Sequence, residues 1–213
     1  LSTEIMAEIN REVVRTINSQ AKLGALQASN ISIKGIFNLK TDADGRWSAE
    51  KFKGLILQLD REANTIAKET RRGKGNFVVC SSDVASALNA SGMMDYAPNM
   101  STNLNVDDTG NTFAGTINGR MRVYIDPYAT GDYANVGYKG TNPYDAGLFY
   151  CPYVPLTMVR AVAENTFQPR IGFKTRYGMV SNPFVGSTPS DGLASAKTNQ
   201  YYRIFRVDHI LGN

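Results

Sequence analysis

An α+β fold is what the sequence predicts, on three observations. Strongly amphipathic helical segments lie before residue 91, segments after residue 112 alternate apolar and polar at strand spacing, and an Asn-Gly pair joins two of these. The chain has 213 residues, 42% hydrophobic and 20% charged, enough to bury a core and too apolar for general disorder. Its 23 basic and 19 acidic residues leave a net charge of +4, too small a bias to mark a nucleic-acid binder.

Taken in order, Leu1, Ile5, Ile9, Val13 and Ile17 recur every four residues with charged residues between them, which predicts a helix over 1–17 capped by Ser2 or Thr3. Its apolar stripe is already under way at Leu1, so the chain is expected to start inside a longer protein. Residues 18–45 read as loop with short strands near Ile31–Ile33 and Ile36–Leu39. A second helix carries Phe52, Leu55, Ile56, Leu59, Ala63, Ile66 and Ala67 on one stripe, with Ser48 as N-cap and Glu50 in the first turn. Asn76–Cys80 reads as a strand, and Ser81-Ser-Asp83 caps a third helix that Gly92 stops. Residues 91–111, rich in Asn, Ser, Met and Asp, read as a long loop.

Phe113–Ile117 and Met121–Ile125 flank Asn118-Gly119, whose ease at positive φ suits a two-residue type I′ hairpin. Further strands are expected at Ala134–Tyr138, Leu148–Cys151, Thr157–Ala161 and Tyr201–Val207. Over Arg170–Tyr177, Ile171, Phe173, Thr175 and Tyr177 alternate with Arg170, Gly172, Lys174 and Arg176, giving one packed and one basic face.

Few residues offer chemistry. Asp42 and Asp44 before Gly45 resemble half of a calcium loop, but Lys40 and Lys51 occupy the first and twelfth positions, where carboxylates belong, so an Asp-Gly turn is expected and no metal. Arg71-Arg-Gly-Lys-Gly75 has the composition of a phosphate loop, yet it leaves a helix and enters a strand, the reverse of a nucleotide-binding loop. Cys80, Cys151 and the single histidine, His209, form no recognisable nucleophile motif; small buried thiols and a surface histidine are expected, with no catalytic residue and no cofactor. Asp107-Asp108 reads as a solvated pair. Seven tyrosines between Tyr124 and Tyr153 fit either a tyrosine-rich core or subunit contacts. The longest apolar run, 147–156, contains two prolines and is too short to span a membrane.

Specific strings carry a family likeness. Leu1-Ser-Thr-Glu-Ile-Met-Ala-Glu-Ile-Asn-Arg-Glu-Val-Val14, Arg72-Gly-Lys-Gly-Asn-Phe77, Phe113-Ala-Gly115, Arg122-Val-Tyr-Ile-Asp126, Val136-Gly-Tyr-Lys-Gly140, Asp145-Ala-Gly147, Tyr150-Cys-Pro-Tyr-Val154, Phe167 to Gly178 and Asn182-Pro-Phe184 occur in this order. The sequence so resembles the later part of the major capsid proteins of T-even-type tailed bacteriophages. Residues 18–46, 91–111 and 186–199 depart from the pattern, as expected of a phage outside the enterobacterial group, such as a marine cyanophage.

The resemblance implies the capsid fold of tailed phages and herpesviruses, with an axial domain and part of a peripheral domain. Residues 1–30 would end the peripheral helical region, 31–160 form the axial domain, and 161–213 return to the peripheral sheet. It implies a structural protein assembling in the bacterial host cytoplasm into hexameric capsomers of a virion shell around DNA, touching that DNA only non-specifically. Vertex and decoration proteins are the other partners implied, and a related vertex protein shares the fold. The arm and extended loop that reach neighbours would lie upstream of Leu1, so the chain alone is not expected to close a shell. The competing reading is a nucleic-acid-binding module using Arg71, Arg72 and Lys74 with Arg170, Lys174 and Arg176.

Overall fold

A late strand, Asn199–Asp208, runs through the large sheet and organises it. The computed structural model describes residues 1–26, 31–96, 112–181 and 197–210. Their elements are α1 (Ser2–Gln20), β1 (Ala21–Leu23), β2 (Ile36–Asn38), α2 (Ser48–Thr70), β3 (Phe77–Cys80), α3 (Ser82–Ala90), β4 (Met94–Tyr96), β5 (Thr112–Ile117), β6 (Met121–Ile125), β7 (Tyr133–Gly137), β8 (Leu148–Val162), β9 (Pro169–Ser181) and β10 (Asn199–Asp208). Helix and strand are mixed, as expected of an α+β chain. The large sheet has the order β1-β10-β7-β3-β6-β5-β4, with β2 also paired to β10. β10 runs parallel to β1 and β2 and antiparallel to β7.

Alternate residues of a strand point to opposite faces, and the two faces are covered differently. Val78, Cys80, Val123, Ala134, Val136, Phe205 and Val207 turn toward α2 and α3, where Leu55, Leu59, Ile66, Val84 and Leu88 complete the main core. Tyr202 and Ile204 turn toward α1 and pack with Ile17, Ala21 and Phe77. Asn18 ties α1 to that face: its Nδ2 donates to the Tyr133 hydroxyl at 2.9 Å, and its Oδ1 accepts from Asn135 Nδ2 at 2.8 Å.

Local signals act much as the sequence indicates, with small shifts. Trp47, not Ser48, is the N-cap of α2, and the Glu50 carboxylate accepts from the Arg46 and Trp47 N–H groups. Leu1 takes the N-cap position of α1 in place of Ser2 or Thr3, without a side-chain bond. Ser81 caps α3 by accepting from the Val84 N–H. Asn118 and Gly119 have φ of 51° and 64°, both positive as a type I′ turn requires, but Ile117 pairs with Met121, so the connection is three residues, Asn118 to Arg120, where two were expected.

Two strand expectations are corrected. Leu148–Cys151 and Thr157–Ala161 are one continuous strand, β8, because Pro152 and Pro155 sit in a hairpin whose register shifts around them. Ala21–Leu23 and Met94–Tyr96 are strands where loop was expected; residues 97–111, the rest of that expected loop, lie outside the described residues. β8 runs across residues 160 and 161, β10 lies in the large sheet, and the hairpin of β8 and β9 forms a sheet by itself.

A buried ion pair fastens α2 to the sheet. Arg203 of β10 and Glu62 of α2 are 5% and 1% exposed, and Arg203 Nε meets Glu62 Oε2 at 2.8 Å. Glu62 Oε1 also accepts from the Ala25 N–H and from Gln58 Nε2, each at 2.8 Å. Arg203 Nη1 reaches Glu69 at 3.0 Å, and Lys22 of β1 meets Glu69 at 3.3 Å. A charge pair out of water is tolerated only when its other hydrogen-bonding groups find partners, and here each guanidinium nitrogen has one, Nη2 reaching the Leu23 carbonyl at 3.5 Å.

Candidate functional site

The basic residues singled out in the sequence fall into two sets, one at the end of α2 and one on β9. Arg71, Arg72 and Lys74 leave the end of α2. Arg71 is the left-handed C-cap residue with φ of 53°, and its N–H donates to the Ala67 carbonyl. Arg72 Nε lies 3.7 Å from Asp145, and Lys74 pairs with Asp60. Two of the three cations are thus matched by carboxylates of the same fold, which removes most of a phosphate cradle. Asp145 also accepts from the Tyr138 hydroxyl at 2.9 Å and the Tyr201 hydroxyl at 3.3 Å, and the two tyrosine rings stack with centroids 6.2 Å apart. Burial and then the Asp145 carboxylate push the Tyr138 hydroxyl up from its ordinary range.

Arg170, Lys174 and Arg176 lie on β9, opposite Ala161, Thr157 and Val154 of β8. The alternation expected there is present: Phe173, Thr175 and Tyr177 are half-buried, while Arg170, Lys174 and Arg176 are exposed, although Ile171 is exposed as well. At the hairpin base the Tyr177 hydroxyl donates to Glu12 of α1, and this bond, with burial second, pushes Tyr177 up to about 12. No ion pair joins the two basic sets among the described residues.

The remaining candidates resolve individually. Cys80 is wholly buried; burial first, and the Asp126 charge second, push its thiol up to about 12, which keeps it protonated and a poor nucleophile. Cys151 is exposed on β8, contrary to the expectation of a buried thiol. His209 is exposed and lines a shallow hollow with Leu39, Lys40 and Phe52, without either thiol. Asp42 staples its own loop: its carboxylate accepts from the Ser32 and Thr41 hydroxyls and the Ser32 and Asn38 N–H groups. Burial pulls its pKa upward, but these donors outweigh it and the pKa is lowered. Asp107-Asp108 lies outside the described residues.

The seven tyrosines divide. Tyr124, Tyr133 and Tyr138 are half-buried, whereas Tyr144 and Tyr153 are 84% and 81% exposed. Other large side chains stand out of the surface too, Trp47 at 75% and Phe167 at 82%. Sequence reasoning did not single out Trp47, whose position between Asp44-Gly45 and the start of α2 was the available signal.

One groove of about 560 Å³ opens where α1 crosses the sheet. Phe77 and Tyr124 line its floor, and Arg11, Arg120, Arg122 and Lys139 its edges. Arg11 meets Glu8 at 3.5 Å and stacks over the Tyr128 ring at 5.1 Å. Asp126 is the groove's carboxylate, and its oxygens accept from the Tyr128 N–H at 3.0 Å and the Tyr133 hydroxyl at 2.6 Å.

A family model described as "Major capsid protein Gp23" matches residues 1–207. The chain is 49% identical over 212 residues to the major capsid protein of Salmonella phage ViI, covering 94% of this chain and 47% of that one. It is 46% identical over 194 residues to that of Enterobacteria phage T4, covering 88% and 37%. The capsid vertex protein of T4 is more distant, 24% identical over 86% of this chain and 43% of its own length. The chain thus spans about half or less of the relatives it matches. A solved structure from Mycobacterium phage Che8 shares the fold with a TM-score of 0.51 at 12% identity, covering 97% of this chain and 60% of that one. These relatives do not show a marine cyanophage source.

Proposed function

The chain belongs to the major capsid protein Gp23 family, and from that premise we propose that it forms the later part of a subunit building a phage head shell. The family match across residues 1–207 carries this reading. Higher identity to the major capsid proteins than to the vertex protein favours the hexamer-forming role. We take the fold to be the tailed-phage capsid fold. The large sheet with α2 and α3 would be its axial part, and the β8–β9 hairpin with the start of α1 its peripheral part. Exposed aromatic side chains of the type enriched at subunit contacts, Trp47, Tyr144, Tyr153 and Phe167, support self-association. The protein would act in the virion, after assembly in the host cytoplasm, beside vertex and decoration proteins. It would hold DNA only non-specifically and carry out no catalysis.

Electron microscopy of particles made from the complete gene tests the proposal. Regular hexameric capsomers or closed heads are expected; soluble monomers with no particles under assembly conditions would refute it. The nucleic-acid-binding alternative loses its support, since Arg72 and Lys74 are engaged by Asp145 and Asp60. Association through apolar contacts should survive added salt that would abolish phosphate contacts.

A further inference from the structure

We propose that the groove between α1 and the sheet docks a short peptide segment of another polypeptide, acidic at one end and apolar at the other. Its acids meet Arg120, Arg122 and Lys139, and its apolar side chains cover Tyr124 and Val79. The inference is independent of the shell role, because it concerns what one subunit binds.

Strand register brings the three cations to one end of the groove. Phe77 pairs with Arg122 of β6 on one side and with Gly137 of β7 on the other. Lys139 follows Gly137 by two residues, Arg120 precedes Arg122 by two, and all three line the groove. Their backbones are held in place. The Asn76 side chain accepts from the Lys139 N–H at 3.1 Å and donates to its carbonyl at 2.6 Å. The Arg122 N–H donates to the Asn76 carbonyl at 3.0 Å, and the Arg120 N–H to the Ile117 carbonyl at 3.1 Å.

The fold supplies no acid to meet them. The three segments that converge there, 71–82, 112–125 and 133–144, contain neither Asp nor Glu. The first adds Arg71, Arg72 and Lys74, and the nearby carboxylates of Asp145 and Asp60 are taken by Arg72 and Lys74. Arg120, Arg122 and Lys139 have no carboxylate partner among the described residues. Cations held close together repel, and a carboxylate brought among them relieves the repulsion and can engage a guanidinium fork.

The rest of the groove decides which kind of anion fits. Asp126 lies four residues along β6 from Arg122, about 13 Å away, and Tyr124 and Val79 pair between them. A nucleic-acid strand carries a charge on every nucleotide and would run phosphates against Asp126. A small inorganic ion would leave the apolar middle uncovered. An extended peptide of about four residues spans the distance and can carry its charge at one end.

The full chain titrated against a labelled peptide with the core Glu-Asp-Asp-Leu-Phe, read by fluorescence anisotropy, tests this. Saturable binding with Kd below about 1 mM is expected, weakening as salt rises. Lysines in place of the three acids should abolish it, and Ser-Ser in place of Leu-Phe should weaken it about 10-fold or more. Arg120→Glu/Arg122→Glu should weaken it at least as much. Arg122→Lys keeps the charge and should bind like the unaltered chain, as should Arg170→Glu/Lys174→Glu on β9. All these positions are exposed, so the far-UV circular dichroism of each variant should match the unaltered chain. Failure of the acidic peptide to saturate overturns the proposal, as does equal binding by the lysine peptide or by a correctly folded Arg120→Glu/Arg122→Glu. An oligodeoxythymidylate that binds more tightly than the peptide, and loses that binding in the same variant, overturns it by assigning the groove to nucleic acid. None of these results alters the shell role, which stands or falls on particle formation by the complete gene.

Discussion

Replacing Arg203 by Met removes the cation that faces Glu62 while keeping an unbranched side chain of related length. Glu62 is 1% exposed and loses its 2.8 Å contact with the Arg203 Nε; the bonds from Ala25 and Gln58 remain but carry no full charge. Glu69 is buffered, because Lys22 still reaches it at 3.3 Å. The loss therefore concentrates on Glu62. Breaking a buried pair from one side typically costs about 3–5 kcal/mol. For a chain of this size that lowers Tm by roughly 6–20 °C. Adding Glu62→Leu removes the stranded charge and should recover part of the loss, leaving about 1–3 kcal/mol from the Ala25 N–H without its acceptor. Urea unfolding followed by circular dichroism gives both values. If Arg203→Met lies within 1 kcal/mol of the unaltered protein, or the double variant is worse than the sum of the singles, the reasoning about this pair is wrong.

Gly119→Val should destabilise by about 1–2 kcal/mol through φ strain alone, since nothing lies within 4 Å of the added Cβ, while Gly119→Asn should be close to neutral in the same melts. Gly137→Ala should cost about 1–3 kcal/mol because its Cβ would run into the Phe77 ring across the strand pair; a Tm equal to that of the parent would refute this packing. With a colorimetric thiol reagent at pH 8, Cys151 should react promptly and Cys80 only on unfolding. Since the Cys80 thiol rises from 9.0 to about 12 in the fold, its contribution to stability is complete below pH 9 and lost between pH 9 and 12. A second fast thiol in the native protein would contradict that burial.

What the sequence made legible was whatever is encoded locally. The α2 stripe, the Asn118-Gly119 turn and the alternation along β9 each sit within a few consecutive residues, and each appears in the fold. β1 and β4, three residues each, are too short for a period to register and exist because β10 and β5 lie beside them. Pro152 and Pro155 read as breaks because proline interrupts a central strand, but in a two-stranded hairpin both strands are edges and tolerate it. Glu62 carries a local signal of burial, since it continues the spacing of Leu55, Leu59 and Ile66 on the face of α2 that packs inward. Its partner is 141 positions away, and no local pattern names it. The groove is invisible for the same reason, since Arg11, Arg122 and Lys139 meet only when α1 crosses the sheet.

The position of β10 also governs timing. Arg203 and Leu23 meet across 180 positions, so the large sheet must close one of the longest loops the chain allows. During synthesis, residues 36–137 emerge first, and β7 waits with one edge unpaired until residues 199–208 arrive to cover it. For that interval Glu62 has no cation from β10 and the main core lacks Phe205 and Val207. A ribosome-bound chain is therefore not yet a building block, and any association that depends on the finished sheet is withheld until translation has passed this strand.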